Sequence, residues 1–190
     1  MPKNLLLSIL IASITERQKI FLPRVLESLE AQVRNKPVEI LVLTDNRMRS
    51  IGEKRNRLLS LAQGEYLCFV DDDDQLSPNY VDHIVEALAT RPDCVVFDAW
   101  VTLNGKSGKI CKYGKEFTPE NTAQAYFRKP NHLMVHKKDK VKDIKFLDIN
   151  FGEDDEWANR VVAGIETQVR INEVLYNYEY SRQTSRSGRK

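Results

Sequence analysis

An α/β fold with a mostly parallel sheet flanked by helices is what this sequence predicts, and three observations carry it. Short apolar runs alternate with stretches of helical periodicity through the first hundred residues. The helical stretches run about a dozen residues, the length a crossover between parallel strands needs. The chain has 190 residues and 42% hydrophobic content, enough to bury one core without disulfides or a structural metal. A single domain over residues 1–180 is expected, with a basic, Ser-rich and mobile tail at 181–190.

The elements follow in order. Leu5–Ala12 reads as a buried strand. Phe21, Val25, Leu26, Leu29 and Val33 then recur at helical spacing, with Pro23 near the first turn, where a missing N–H costs little. Val38–Leu43 is a second apolar run. After a polar turn at Asp45–Ser50, an amphipathic segment carries Ile51, Leu58, Leu59 and Ala62 and stops at Gly64. Tyr66–Val70 is a third buried strand. Ser77-Pro78 reads as the cap and first turn of a helix with Val81, Ile84, Val85 and Leu88 on one face, and Cys94–Leu103 as a fourth strand.

The second half is less regular. Gly105–Gly114 reads as a hairpin or loop excursion, and Thr118-Pro119 as the opening of a short helix through Tyr126 and Phe127. Gly152–Ala163 reads as a helix with Trp157, Val161 and Val162 inward. Glu173–Tyr180 alternates like a strand with three tyrosines on one side. No repeat or linker divides the chain.

Several classes of function are set aside by composition. Twenty-nine Lys and Arg against 27 Asp and Glu leave a formal charge of +2, too small to imply a nucleic-acid or membrane partner. Lys137–Lys145 carries five lysines, which reads as a solvated face. Cys68, Cys94 and Cys111 are odd in number and lack metal-ligand spacing, so buried reduced thiols are expected. The apolar stretch Leu5–Ile14 could be mistaken for a signal-peptide core, but it is too short to span a bilayer and runs straight into a helix. With no transmembrane segment read, a cytoplasmic location is expected.

In parallel α/β sheets ligands sit beyond the carboxyl ends of the strands, so Ser13–Arg17, Asp45 and Asp71–Asp74 should converge on one edge. The sharpest signal is Asp71-Asp72-Asp73-Asp74, four carboxylates directly after a buried strand. Their repulsion is costly unless a cation sits among them. Mg²⁺ or Mn²⁺ prefers such oxygens and leaves positions for phosphates. A second acidic cluster, Glu153-Asp154-Asp155-Glu156, opens a predicted helix some eighty residues later, so one cluster could hold metal while the other supplies a general base. The alternative for both is charge complementarity at helix N-termini. Satisfied structural roles are expected for His132 and His136.

The order of these elements resembles family 2 of the glycosyltransferases, whose fold is the Rossmann-like GT-A sheet. The resemblance runs from Leu5 to about Ser185. It is carried by Ile9–Arg17, Ile40–Asp45, Gly52-x-Lys54-Arg55-Asn56 before Ala62-x-Gly64-Glu65-Tyr66, the Phe69–Asp74 segment in the place of a DxD motif, Glu153-Asp154 with Trp157 and Arg160, and Leu175-Tyr176-x-Tyr178. It implies a nucleotide-sugar-binding half at 1–103 and an acceptor-binding half at 104–180. By position, Asp45 would reach the base or ribose, with Ser13, Thr15 and Arg17 lining the same pocket. Lys54 and Arg55 would face nucleotide or diphosphate, Asp71 or Asp72 the ribose or donor sugar, and Asp73 the metal. Asp154 would be the catalytic base. The implied enzyme is an inverting, hexosyltransferase-like transferase moving a sugar from a nucleotide-diphosphate donor, most simply a UDP-sugar, to a glycan or other hydroxyl acceptor with Mn²⁺ or Mg²⁺.

The chain departs from the family pattern in two places. Ala12-Ser13-Ile14-Thr15 lacks the aromatic that often stacks on the base. Tyr180 and Arg182 stand where a histidine often follows the closing tyrosines. Two other readings remain. A nucleotidyltransferase of similar fold would carry a Gly-rich phosphate loop after the first strand, where Ala12–Arg17 has no glycine. A non-catalytic nucleotide-sugar-binding module would need neither Asp154 nor metal.

Overall fold

A computed structural model describes residues 5–180, apart from the side chains of Ser107 and Tyr180; the tail expected at 181–190 lies outside the described residues. The first half follows the expected alternation: β1 (Leu7–Ile14), α1 (Phe21–Val33), β2 (Val38–Asp45), α2 (Ile51–Leu61), β3 (Tyr66–Phe69), β4 (Gln75–Leu76), α3 (Tyr80–Ala87) and β5 (Cys94–Leu103). The second half comprises β6 (Lys106–Tyr113), β7 (Glu120–Asn121), β8 (Ala125–Arg128), β9 (Val135–Lys137), α4 (Lys138–Val141), α5 (Glu153–Val161) and β10 (Gln168–Tyr180).

All ten strands join one sheet, ordered β2-β1-β3-β9-β5-β6-β8-β7, with β10 pairing β5 and β4. The long ladders, β1 with β2 and β10 with β5, are parallel. Every residue of β1 and β3 is buried, as a strand covered on both faces must be. Ile9, Leu10, Leu67, Phe69, Val95 and Phe97 belong to a single core. Against the sheet, α1 packs on α3, and α2 packs on β1, β2 and α5.

Three elements depart from expectation. The helix read from Thr118 through Phe127 is instead β7 and β8. Tyr126 and Phe127 suit a pleated surface, β8 runs parallel to β6, and Thr122 turns the chain by hydrogen-bonding Ala125 at both its N–H and its carbonyl. Ser77-Pro78 does not cap α3: the helix begins at Tyr80, whose N–H bonds the carbonyl of Ser77. The three-residue strand β9, too short for any periodicity, is inserted antiparallel between β3 and β5. The excursion at 105–114 is a hairpin, its turn made by Asn104 and Gly105, both at positive φ.

On β9, His136 is fully buried, its Nε2 2.8 Å from the carbonyl of Asn131 and its ring edge-on to Trp157. Burial pushes its imidazole down to about 4. The unfolded chain therefore binds that proton more tightly. Stability from the neutral ring is complete above about pH 6.5 and is lost as pH falls toward 4, by about 3 kcal/mol in all. Urea unfolding between pH 7 and pH 4.5 should show this loss, and His136→Phe should flatten that part of the pH profile.

Candidate active site

The site is assembled at the carboxyl ends of β1 and β3 by the Gly52-Glu53-Lys54-Arg55-Asn56 stretch of α2. Ser50 caps that helix by accepting the N–H of Glu53. Gly52 is required by close approach: a Cβ there would lie 1.8 Å from the carbonyl oxygen of Leu147. Asn56 bonds the backbone of Phe146 in both directions, at 2.9 and 2.8 Å. Between them, Lys54 and Arg55 reach into the interior.

Lys54 is fully buried. Its ammonium donates to the carbonyl of Ser13 at 2.7 Å and to Asp45 Oδ1 at 3.0 Å, while Asp45 Oδ2 accepts the N–H of Arg49. Burial raises the Asp45 carboxyl, but the Lys54 hydrogen bond and charge outweigh it and leave the group below its ordinary value. Asp45 and Lys54 thus pair with each other, clamping the ends of β1 and β2.

Arg55 is the centre of the site. Its guanidinium donates to Glu153 Oε1 at 2.5 Å, to Asp71 Oδ1 at 3.1 Å and to His132 Nε2 at 2.8 Å, and lies over the rings of Phe69 and Phe146. A guanidinium only donates, so Nε2 of His132 accepts and the ring proton sits on Nδ1. That Nδ1 is buried without a hydrogen-bond partner and faces Asp154 Oδ2 at 3.7 Å. His132 therefore links Asp71 to Asp154 and is a site residue rather than the structural one expected. His136 is structural. No spacing in the sequence distinguishes the two; the topology does, since His132 precedes β9 and His136 lies within it.

Each carboxylate of the Asp71–Asp74 run has its own environment. Asp71 is held well below the ordinary range: burial opposes ionisation, but the Arg55 guanidinium beside it outweighs it. Asp72 is 1% exposed, with Oδ2 accepting the Ser13 hydroxyl at 2.5 Å and Oδ1 paired to Arg17 at 2.6 Å. Asp73 pairs with Arg17 at 2.9 Å, yet burial, with Asp71 and Asp72 nearby, raises it to about 6. Asp74 is raised well above its ordinary value, first by burial and then by Asp71 and Asp73.

Two cavities adjoin here. One, of about 130 Å³, is lined by Arg17, Arg55, Asp71, Asp72, Asp73 and Glu153 among others. The second, of about 290 Å³, is lined by Asp71, His132, Asp154, Tyr113, Tyr126 and Tyr178 among others. Asp71 and Tyr178 border both. Residues from both halves of the chain line each cavity. Of the residues expected in the site, Ser13 stands behind Asp72, while Thr15 is exposed at the end of β1 and lines neither cavity; nor do Asp45 and Lys54. Asp154 sits in the first turn of α5, which Gly152 enters at a φ of 80° and which Trp157 anchors, its indole donating to the carbonyl of Ile144 and stacking on Phe146. Among the described residues, no group of three or more His, Cys, Asp or Glu side chains could hold a metal ion alone.

Residues 22–143 match the model of glycosyl transferase family 2. The chain belongs to that family. A Methanocaldococcus jannaschii protein described as an uncharacterized glycosyltransferase is 28% identical over 120 residues, 61% of this chain and 40% of that protein. The fold is that of S. aureus TarS. The crystal structure of TarS 1–349 in complex with UDP-GlcNAc superposes with a TM-score of 0.70 at 14% identity, covering 98% of this chain and 62% of that one. Its complex with UDP gives 0.65 over 94% of this chain and 62% of that one, also at 14% identity. This family 2 chain thus spans less than two thirds of the length of these relatives, and the matched segment closes before Asp154.

Removing Arg55 would leave Asp71 and Glu153 in the interior without their cation, which costs about 3–5 kcal/mol. Urea unfolding at pH 7 should find Arg55→Met destabilised by that amount. Arg55→Lys should recover only part of it, because an ammonium does not reproduce the guanidinium fork.

Proposed function

We propose that this chain is an inverting glycosyltransferase that moves a sugar from a UDP-sugar to an acceptor hydroxyl, with Asp154 as general base. The observation that carries the reading is that two acidic clusters about eighty residues apart border adjoining cavities that share Asp71 and Tyr178. Family membership supports sugar transfer, and the presence of UDP-GlcNAc or UDP in the TarS complexes supports a uridine donor.

The smaller cavity suits the sugar-diphosphate end of the donor, with Arg17 and Arg55 at its wall as cations for the diphosphate. The nucleoside then extends past Thr15 toward Asp45, as the resemblance implies. Nucleoside and donor sugar fall to the half at 1–103 and the acceptor to 104–180, with Tyr178 crossing between them. The acceptor oxygen attacks the anomeric carbon from the side of Asp154. The carbon–oxygen bond to the diphosphate breaks, its electron pair leaves with UDP, and the hydroxyl proton passes to Asp154. His132, its Nδ1–H toward Asp154, orients that carboxylate. One displacement inverts the anomeric centre, and no covalent sugar–enzyme species is required.

The donor set fits a hard divalent cation. Asp73 borders the donor cavity and is kept short of full neutralisation by Asp71 and Asp72, and Mg²⁺ is commonly held by one or two carboxylates plus substrate phosphates rather than by an all-protein cage. Mn²⁺ or Mg²⁺ on Asp73 would stabilise the charge of the departing diphosphate. Three buried free thiols are in keeping with the cytoplasmic location read from the sequence.

Nucleotide release from a panel of UDP-sugars, with and without Mn²⁺, tests the proposal. Asp73→Ala should weaken metal-dependent donor binding about tenfold or more. Asp154→Ala should keep donor binding and lose transfer by a factor of about 10²–10⁴. Normal turnover by both variants defeats the assignment. Release of pyrophosphate instead of UDP would mark a nucleotidyltransferase, and binding without release a non-catalytic module.

A further inference from the structure

The cavity beside Asp154 does not end there. A third cavity, of about 370 Å³, continues from it, and the two share Arg128, Asn131 and Asp155 as their common wall. The two have different chemistry. The first offers the rings of Tyr113, Tyr126 and Tyr178 beside the carboxylates of Asp154 and Asp155. An apolar floor with a polar rim matches a pyranose ring, whose faces are C–H and whose edge is hydroxyl. Tyr126 is preorganised, with Lys109 Nζ 4.3 Å and the Arg128 guanidinium 5.5 Å from its ring centre. The outer cavity is bordered by Asn121, Asn131 and Asn159, amides that both donate and accept, as neighbouring hydroxyls require.

Charge narrows the class further. Asp71, Asp154 and Asp155 border the inner cavity, with Arg128 as the cation among its lining residues. In the outer cavity, Glu120 and Asp155 balance Arg128 and Lys129, and both cations already hold neutral oxygens: Arg128 those of Glu120 O and Asn121, Lys129 that of Asn159. A phosphate or carboxylate on the acceptor would meet the repulsion of Asp71, Asp154 and Asp155 at the inner cavity, and at the outer one Glu120 and Asp155 offset the charge of Arg128 and Lys129. The lysines of 137–145 offer no substitute, because none of them borders these cavities. Lys138 bonds the carbonyl of Ala62, Lys140 pairs with Asp93 and Glu166, and Lys142 pairs with Asp139.

We infer that the acceptor is an uncharged glycan of at least two sugar rings, its terminal ring in the cavity beside Asp154 and its next ring in the outer cavity beyond Arg128. Both volumes lie near the lower end of the range for small-ligand pockets, about 300–1,000 Å³, so each takes one ring. The inference rests on the glycosyltransferase reading and fixes the substrate class of its second site.

The test uses the full chain with Mn²⁺ and the same panel of UDP-sugars as donors, measuring UDP release and glycoside formation. The acceptor panel pairs glucose, galactose and N-acetylglucosamine with cellobiose, lactose and chitobiose, and adds the 6-phosphates of the three monosaccharides. An immobilised array of neutral, phosphorylated and sialylated glycans is probed with the same protein in the presence of UDP. At least one neutral disaccharide should exceed its monosaccharide about tenfold or more in kcat/KM. Array binding should favour neutral glycans of two or more rings. In Asn159→Trp, whose indole would fill the outer cavity, the disaccharide-to-monosaccharide ratio should fall to about one. Preference for phosphorylated or sialylated acceptors, no advantage of a second ring, an unchanged ratio in Asn159→Trp, or UDP binding with no glycan recognised on the array would each overturn the inference. Failure to bind UDP or to release it from the donor would instead overturn the underlying reading.

Discussion

Six carboxylates, Asp71 through Asp73 and Glu153 through Asp155, line two adjoining cavities with Asp74 next in the chain, and the structure depends on how their repulsion is contained. The main device is the buried guanidinium of Arg55. It bonds Asp71 after β3, Glu153 at the head of α5 and the imidazole of His132 before β9. These three groups come from segments distant in sequence, so the same cation that neutralises them also fixes their relative positions. A buried ion network of this kind adds little net stability over well-packed apolar groups. Its value lies in geometry: α2, the Asp71 loop and α5 cannot shift independently without uncovering a charge.

The four consecutive aspartates show how environment divides identical side chains into different roles. Asp71 is kept ionised by Arg55. Asp72 has one oxygen on Ser13 and the other on Arg17, so it holds the end of β1 while bordering the smaller cavity. Asp73, raised to about 6, is the carboxylate least provided with compensating charge while still bordering the cavity. Asp74 is pushed well above its ordinary value, so it adds little charge to the crowd. It accepts the N–H of Glu179 instead and ties the end of β10 to the site.

What was legible in the sequence, and what was not, follows the physics. The first-half strands and helices were readable because burial on both faces makes apolar runs of β1 and β3, and helices covering them need one apolar stripe. Gly52, Lys54, Arg55 and Asn56 could be recognised as a motif, but not that Lys54 and Arg55 face inward onto Asp45 and onto Asp71 with Glu153. A cation near an anion-binding site reads the same whether it waits for ligand or braces the protein. Tyr126 and Phe127 after Thr118-Pro119 imitated a helix start, because the pairing with β6 that makes them a strand is nonlocal. His132 was missed for the same reason: its partners lie 22 to 77 residues away.

The two halves of the chain solve different problems, which is why one was readable and the other was not. The smaller cavity is walled by charge at strand ends, and strand ends are visible as the points where apolar runs stop. The larger cavity is walled by shape instead, where Tyr113 of β6, Tyr126 of β8 and Tyr178 of β10 gather beside Asp154 of α5. Those contacts have no period. Tyr178 belongs to both cavities, bordering the smaller with Asp73 and the larger with Asp154, from a strand that starts beside Cys94 and ends beside Leu103. The bulges in β10 between Ile171 and Tyr176 let that strand keep its parallel pairing with β5 while it also reaches β4 next to the aspartates. The sheet therefore carries the junction of the two cavities on a single irregular strand, and any change in its register would move the walls of both together.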